Sequence, residues 1–212
     1  MAHSLRLIEH DLAPGGNLAL PAAARVLFVA EGEIVVASAE GDRSLARETA
    51  WHGSGPCAVR ARAAARLLRF ELIRQPPPST SVGRALLEHP IALDAGGGWL
   101  MRCDRVDFAP GGVALPHRHR GGGIRRLLRG TLTLTVGAAA PQLMRPGDPW
   151  FESGREPVLA VADAEEETSF IRVSILPADI RGRSSILYVD PADSVRGRPR
   201  NYTVYLDEPL SP

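Results

Sequence analysis

The sequence contains no lysine, only two cysteines and few aromatic residues. All 25 basic residues among the 212 are arginines, and 24 acidic residues balance them to a net charge of +1. This balance offers no electrostatic attraction for nucleic acid or for an acidic membrane surface, so neither is expected as a partner. Cys57 and Cys103 lack the spacing of a metal site or of a disulfide framework. We therefore expect a reduced, cytoplasmic protein.

Long apolar runs are also absent. No stretch approaches the roughly 20 apolar residues that a membrane-spanning helix needs. The N-terminal stretch MAHSLRLIEHDLAPGG has no apolar core of the kind that a secretory signal contains. These absences favour a globular protein that acts away from the membrane.

The two halves of the chain repeat one sequence pattern. The matching segments are DLAPGG (11–16) with DFAPGG (107–112), RVLFVAEGEIVVA (25–37) with IRRLLRGTLTLTV (124–136), WHGSG (51–55) with WFESG (150–154), and RLLRFELI (66–73) with SFIRVSIL (169–176). In both halves a glycine, Gly32 or Gly130, separates two apolar runs. Because the order is kept and the offset is nearly constant, each half is predicted to be one copy of the same structural unit.

The repeated segments have the character of β-strands. They are short, rich in Val, Ile, Leu and Thr, and separated by Gly, Pro, Asp and Ser; TLTLTV (131–136) alternates apolar and polar residues. Many short strands at regular spacing predict an all-β fold of antiparallel sandwiches or barrels. The proline-rich QPPPSTS (75–81) is predicted to be a linker. VGRALLEHP (82–90) is predicted to form a short helix.

One motif in the second half resembles that of the cupin superfamily. The first cupin motif has a glycine, five residues, His-x-His, three or four residues, a glutamate, six residues and a second glycine. Here Gly111 is followed at these intervals by His117, His119, Gly123 and Gly130. Every fixed position matches except the glutamate, where Gly123 stands.

The second cupin motif is present only in outline. Counted from Gly147, its Pro-x-Gly positions hold Ser153 and Arg155. Val158 stands where the family has its third ligand histidine, and Ala162 where it has an asparagine. The resemblance therefore covers residues 96–177 with two of four family ligands, and it reaches residues 5–74 only through the internal repeat.

The resemblance implies two cupin-type antiparallel β-barrels (double-stranded β-helix or jelly roll) in tandem, a bicupin. We expect a degenerate barrel without metal ligands at 5–75, a linker at 76–95 and a barrel with the His-x-His motif at 96–177. Residues 178–212 would form an extension that packs on a barrel or on a partner subunit. As in similar proteins, we expect a homodimer.

His117 and His119 are the candidate metal ligands; the alternative is a polar pair that lines a cavity or lies in a surface loop. Residues at i and i+2 on a strand point to the same face, which suits two imidazoles that converge on one ion. Two ligands bind weakly, and Glu152 is the best candidate for a third, giving a two-His-one-carboxylate site. Its alternative role is that of a solvent-facing strand residue. Asp148 and Glu156 are weaker candidates because their sequences indicate a turn and a loop.

Arg125 is a candidate for orienting a substrate. It has the same parity as position 123, where the family's inward glutamate would stand, so Arg125 is also expected to point inward. A buried guanidinium needs a partner, either Glu152 or a substrate acid. The alternative is an arginine at the barrel rim.

The resemblance implies a cupin that binds a small, acidic or aromatic organic ligand in its second barrel. It also implies a metal-dependent, dioxygenase-like oxidoreductase that uses a divalent ion such as Fe, Zn, Mn or Ni. In this interpretation His117, His119 and Glu152 would hold the metal, and Arg125 and Glu152 would serve the reaction. The alternative is a non-catalytic binding or sensor cupin with little or no metal, which the missing glutamate and third histidine favour.

Overall fold

A computed structural model of the chain describes residues 3–74, 82–93, 97–196 and 200–210. The chain divides into two compact units, residues 1–95 with 210–212 and residues 96–209. Both units consist of antiparallel β-strands, and the described residues of the second unit also form two short 3₁₀ turns, which confirms the predicted all-β fold class. No helix in the described ranges has the length and apolar character to cross a membrane.

The described residues of the first unit form nine strands in two sheets. The strands are β1 (His3–Leu12), β2 (Asn17–Leu20), β3 (Ala24–Glu31), β4 (Glu33–Ser38), β5 (Gly41–Ala46), β6 (Ala50–Gly53), β7 (Cys57–Ala61), β8 (Ala65–Arg74) and β9 (Arg84–Ile91). One sheet has the order β6-β3-β8-β1-β9 and the other the order β2-β7-β4-β5. The buried and exposed residues of β7 alternate, so this strand presents one face to the interior.

In the second unit, the part of the chain that the structure describes forms ten strands, also in two sheets. The strands are β10 (Trp99–Phe108), β11 (Val113–His119), β12 (Gly123–Arg129), β13 (Leu132–Val136), β14 (Gln142–Met144), β15 (Pro149–Glu152), β16 (Val158–Ala162), β17 (Thr168–Pro177), β18 (Ile186–Tyr188) and β19 (Arg200–Pro209). The sheets have the orders β15-β12-β17-β10-β19 and β14-β13-β16-β11-β18. Apart from the strand at one end of each sheet, this topology repeats that of the first unit with every strand number raised by nine.

The repeated glycines explain part of this shared topology. Gly32 and Gly130 follow β3 and β12, and both have a positive φ, 81° and 68°. A Cβ at Gly32 would lie 2.2 Å from the carbonyl oxygen of Ala64, and a Cβ at Gly130 would lie 2.6 Å from that of Glu167. Both positions therefore require glycine, for the backbone angle and for the close approach of the neighbouring loop.

The helix predicted over residues 82–90 is wrong. Arg84–Ile91 forms β9, which pairs antiparallel with β1 at the edge of the sheet. Pairing with an available sheet edge outweighs the helix propensity of ALLE, and Pro90 is tolerated because β9 is an edge strand. The predicted linker at 75–81 lies outside the described residues.

The C-terminal extension belongs to the second unit. β18 pairs with β11 through His117, Arg118 and His119, and β19 pairs with β10 along most of its length. The tail thus adds one strand to each sheet of this unit. It also places Ser185 and Tyr202 next to the His-x-His segment and the adjoining sheet face.

Each unit has an interior with an apolar layer and a polar layer. In the second unit the apolar layer includes Val106, Phe108, Leu127, Leu134 and Trp150. Further along the same strands, inward positions carry charged side chains instead. Because the side-chain direction alternates with a period of two, the register that buries the apolar residues also buries these charges.

Candidate functional site

The candidate site lies in the polar layer of the second unit. The two sheets face each other there: β12 contributes Arg125 and β15 contributes Glu152, while β11 contributes His117 and His119. All four side chains are buried, with exposures of 1–7%. Four side chains selected from the sequence as site candidates thus lie together around one cavity.

The two histidines present their Nε2 atoms as acceptors. His117 donates from Nδ1 to the carbonyl oxygen of Leu115 at 2.7 Å, and Nδ1 of His119 lies 3.2 Å from Oγ of Ser185. The rings lie edge to face with centroids 4.9 Å apart. Burial lowers the pKa of His117, and burial together with Arg172 and Arg125 holds the pKa of His119 well below its usual value. Both imidazoles are therefore neutral near pH 7.

Glu152 points inward, so the alternative of a solvent-facing residue does not apply. Its Oε1 accepts a hydrogen bond from Nε1 of Trp150 at 2.9 Å. Its Oε2 lies 2.8 Å from Nη2 of Arg125 and 3.5 Å from Nε2 of His119. One carboxylate thus connects the arginine and the histidine pair.

Arg125 is inside the unit and not at its rim. Its Nη1 donates to the carbonyl oxygen of Gly123 at 2.6 Å. Although Nη2 is close to Glu152, neither Nη2 nor Nε makes a hydrogen bond with any of the described residues, and the same is true of Oε2 of Glu152. Burial lowers the pKa of Arg125 to about 10, while Glu152 opposes this shift. The guanidinium therefore stays charged at neutral pH and has buried N–H groups that make no hydrogen bond within the described chain. Burying such groups costs free energy unless a ligand or a water accepts from them.

Arg172 is a central residue of the site that the sequence reasoning missed. Its Nε and Nη2 donate to the two carboxylate oxygens of Asp104 at 2.8 and 2.7 Å. Its Nη1 lies 3.4 Å from Nε2 of His119. Burial disfavours its charge, but Asp104 outweighs burial and raises the pKa of Arg172. The internal repeat held a signal for it, because Arg172 aligns with Arg69 as the one charged residue common to RLLRFELI and SFIRVSIL.

The cavity joins this charged wall to an apolar floor. The cavity volume is about 20 Å³, room for a group of about the size of a water molecule. Trp150 and Phe170 meet edge to face on the floor, with ring centroids 5.2 Å apart. Arg200, whose Nε donates to the hydroxyl of Tyr202, also lines the cavity. Among the described residues, the lining carries three guanidinium groups. Glu152 is paired with Arg125, and Asp104, outside the lining, is paired with Arg172, so one positive charge is left over.

The other candidate positions do not join the site. Asp148 accepts a hydrogen bond from the backbone N–H of Arg145 in a turn, and Glu156 is exposed beside Ser153. At the family's glutamate position, a Cβ on Gly123 would lie 2.5 Å from the carbonyl oxygen of Val173. A glutamate therefore cannot replace Gly123 without a shift of β17.

The side chains as arranged do not fit a metal ion. No group of three or more His, Cys, Asp or Glu residues with metal-binding geometry occurs in the described part of the chain. Nη1 of Arg172 lies 3.4 Å from Nε2 of His119, and Nη2 of Arg125 lies 2.8 Å from Oε2 of Glu152. Two guanidinium groups thus stand where a divalent cation would need ligand lone pairs, and their charge would repel it.

The polar layer of the first unit is built without histidine ligands. Glu71 is 1% exposed and accepts hydrogen bonds from Arg6, Arg25 and Arg69 at 2.7–3.0 Å. Arg25 also donates to the carbonyl oxygens of Gly55 and Pro21. An ion cluster thus fills the space that holds the candidate site in the second unit.

Comparison with known proteins supports the fold. No protein-family model and no curated protein sequence matches the chain. Among solved structures, the oxalate decarboxylase of Lactobacillus farciminis in complex with formate is similar with a TM-score of 0.65 and 13% identity, over 92% of this chain and 82% of that one. AerE from Microcystis aeruginosa is similar with a TM-score of 0.62 and 13% identity, over 81% and 88%. A cupin 2 conserved barrel domain protein from Leptotrichia buccalis is similar with a TM-score of 0.50 and 16% identity, over 82% and 89%. The shared topology and these similarities show that this chain has the cupin fold.

Proposed function

We propose that the second unit binds a small organic acid in the cavity around Arg125. The observation that carries this proposal is the buried guanidinium of Arg125, whose Nε makes no hydrogen bond with the described residues while its Nη2 is ion-paired with Glu152 at 2.8 Å. A carboxylate matches the planar fork of a guanidinium, so it would satisfy Nε and share Nη2 with Glu152. The apolar floor at Trp150 and Phe170 suits the hydrocarbon or aromatic part of such an acid.

The charge of the lining favours an anion over a cation. Among the described residues, three guanidinium groups line the cavity, two of them are paired with carboxylates, and the neutral histidines add no charge. An incoming carboxylate cancels the remaining positive charge, whereas a divalent cation raises the total to three positive charges. In a site of low dielectric this difference amounts to several kcal/mol.

A metal-dependent, dioxygenase-like enzyme is the second candidate. It is favoured by the His117–His119 pair, whose Nε2 atoms are acceptors on the side of the cavity. Such an ion would polarise or activate a ligand oxygen. Binding it at His117, His119 and Glu152 would first require Arg125 and Arg172 to withdraw from Glu152 and His119. The acid-binding protein without metal is therefore the better match to the geometry.

Ligand binding is tested by saturation-transfer NMR with formate, acetate and benzoate. We expect saturation of at least one of these acids by the native protein, and none by the Arg125→Met/Glu152→Gln variant. This pair removes the fork and leaves the net charge unchanged. The control is Arg66→Met/Glu31→Gln, which removes an exposed ion pair in the first unit by the same substitutions. Absence of saturation by all three acids in the native protein would refute acid binding.

Metal content decides between the two candidates. The protein is purified without chelator or nickel resin and is analysed for elements before and after incubation with Fe, Zn, Mn and Ni. The acid-binding proposal expects no stoichiometric metal in either sample. About one metal per chain that is lost in the His117→Ala/His119→Ala variant would instead support the metalloenzyme.

A further inference from the structure

The second unit contains a larger chamber next to the acid cavity. Its cavity volume is about 400 Å³, which falls in the range of small-molecule pockets. Its lining comes from β10, β17, β19 and residues 182–186 of the tail. Arg172 and Tyr202 line both spaces, so the two adjoin at these side chains. We call this space the outer chamber.

The polar groups of the outer chamber favour a ligand that accepts hydrogen bonds. Its two carboxylates are already engaged, since Asp104 binds Arg172 and Asp207 binds Arg102, each through both oxygens. Arg183 adds a third guanidinium group, so the lining of described residues carries one net positive charge. The carboxylate acceptors are thus occupied, and the remaining positive charge belongs to a guanidinium group, which donates hydrogen bonds.

Two serine hydroxyls add further donors. Oγ of Ser184 accepts from the backbone N–H of Ile186 at 3.2 Å, so its own proton remains to be donated. Ser185 lies 3.2 Å from Nδ1 of His119; with Nε2 of that ring facing Arg172, Nδ1 carries the proton and the serine oxygen accepts it. The hydroxyl proton of Ser185 is therefore available as well. Ser185 also connects the outer chamber directly to the histidine pair.

We propose that the ligand is an elongated dicarboxylate of four or more carbons that occupies both spaces. One carboxylate binds Arg125 in the inner cavity, and the other reaches Arg183, Ser184 and Ser185 in the outer chamber. Arg172 borders both spaces and contacts the ligand between its two ends. This inference rests on the proposed acid binding and adds the class of ligand. A one-carbon acid such as formate fills only the inner cavity.

The test is a calorimetric titration with acetate and with the linear dicarboxylates from malonate to suberate. We expect the affinity to rise with chain length to a maximum at least about tenfold above that of acetate, where the second carboxylate meets its donors. Val204→Trp places a bulky ring at the chamber wall, where Val204 is 56% exposed, and is expected to remove this gain while acetate still binds. The matched control is Val195→Trp, at an 87% exposed valine outside the chamber lining.

A second variant covers the case in which Val204→Trp does not fold. Ser184→Asp, at an exposed position, introduces a negative charge into the outer chamber and is expected to weaken the best dicarboxylate about tenfold or more through repulsion. Acetate binding with no gain for any dicarboxylate would overturn this inference and leave acid binding standing. Dicarboxylate binding that Arg125→Met/Glu152→Gln leaves unchanged would overturn the spanning ligand and the role of Arg125 together. Binding of none of the acids would refute both proposals.

Discussion

The ion cluster of the first unit makes Glu71 a decisive position for stability. The side chain is 1% exposed and is surrounded by Arg6, Arg25 and Arg69. Removing one partner from such a buried group leaves uncompensated charge behind, which is far more costly than the absence of the whole group. Glu71→Gln keeps the shape and one acceptor oxygen but removes the negative charge that these three arginines share.

The expected loss can be estimated from the contacts. At about 4 Å and an effective dielectric of about 20, each arginine–carboxylate attraction is worth about 4 kcal/mol, and three such attractions disappear. Water entry and movement of Arg6, which is 11% exposed, recover part of this energy. We therefore expect the free energy of unfolding of the first unit to fall by about 3–5 kcal/mol, the usual cost of breaking a buried ion pair. That is a large part of the stability of a small domain.

The assay is urea unfolding combined with hydrogen exchange, which reports on each unit separately. Peptides from β8 measure the first unit, and peptides from β17 provide the internal reference. The control is Glu33→Gln, since Glu33 and its partner Arg62 are both about half exposed. Its loss should stay below about 1 kcal/mol. A loss in Glu71→Gln as small as that of the control would refute the claim that the cluster depends on this carboxylate.

Three further outcomes follow from single residues. Burial and the neighbouring Arg69 lower the pKa of His10 to about 4 from 6.5, so the unfolded state binds more protons between these two pH values. The free energy of unfolding should therefore fall by up to about 3 kcal/mol as the pH drops from 6.5 to 4. A His10→Gln variant, compared by urea titration at each pH, should lose this part of the pH dependence. Gly130→Ala should lower the thermal midpoint at a cost of about 1–3 kcal/mol, because it adds a Cβ 2.6 Å from a carbonyl oxygen at a φ of 68°. Gly55→Ala is the control and should change the midpoint little, because there is open space around the added Cβ. Equal shifts of the midpoint in the two variants would contradict the close approach at Gly130. Gly123→Glu, which restores the family's ligand type, should destabilise the second unit in calorimetry and bind no metal; a stable, metal-loaded variant would show that β17 can move.

Several features were accessible from sequence alone because they depend on local geometry. Alternating apolar residues and turn glycines predicted an all-β fold, and the internal repeat predicted two similar units. The inward direction of Arg125 followed from its parity with position 123, since strand side chains alternate. The family resemblance made His117 and His119 candidate ligands and Glu152 a candidate third ligand, but it left open whether Glu152 faces the interior or the solvent.

Other features depended on contacts between residues distant in sequence. Arg84–Ile91 forms a strand because it pairs with the edge of β1, and helix propensity contains no information about that edge. Asp104 and Arg172 are 68 residues apart, and only the pairing of β10 with β17 brings them together. The tail supplied Ser185 and Tyr202 by adding strands to the second unit. Sequence periodicity determined which side chains face inward, whereas the tertiary structure decided which charges meet there, because ion pairing in a buried layer depends on register between strands and not on spacing along one strand.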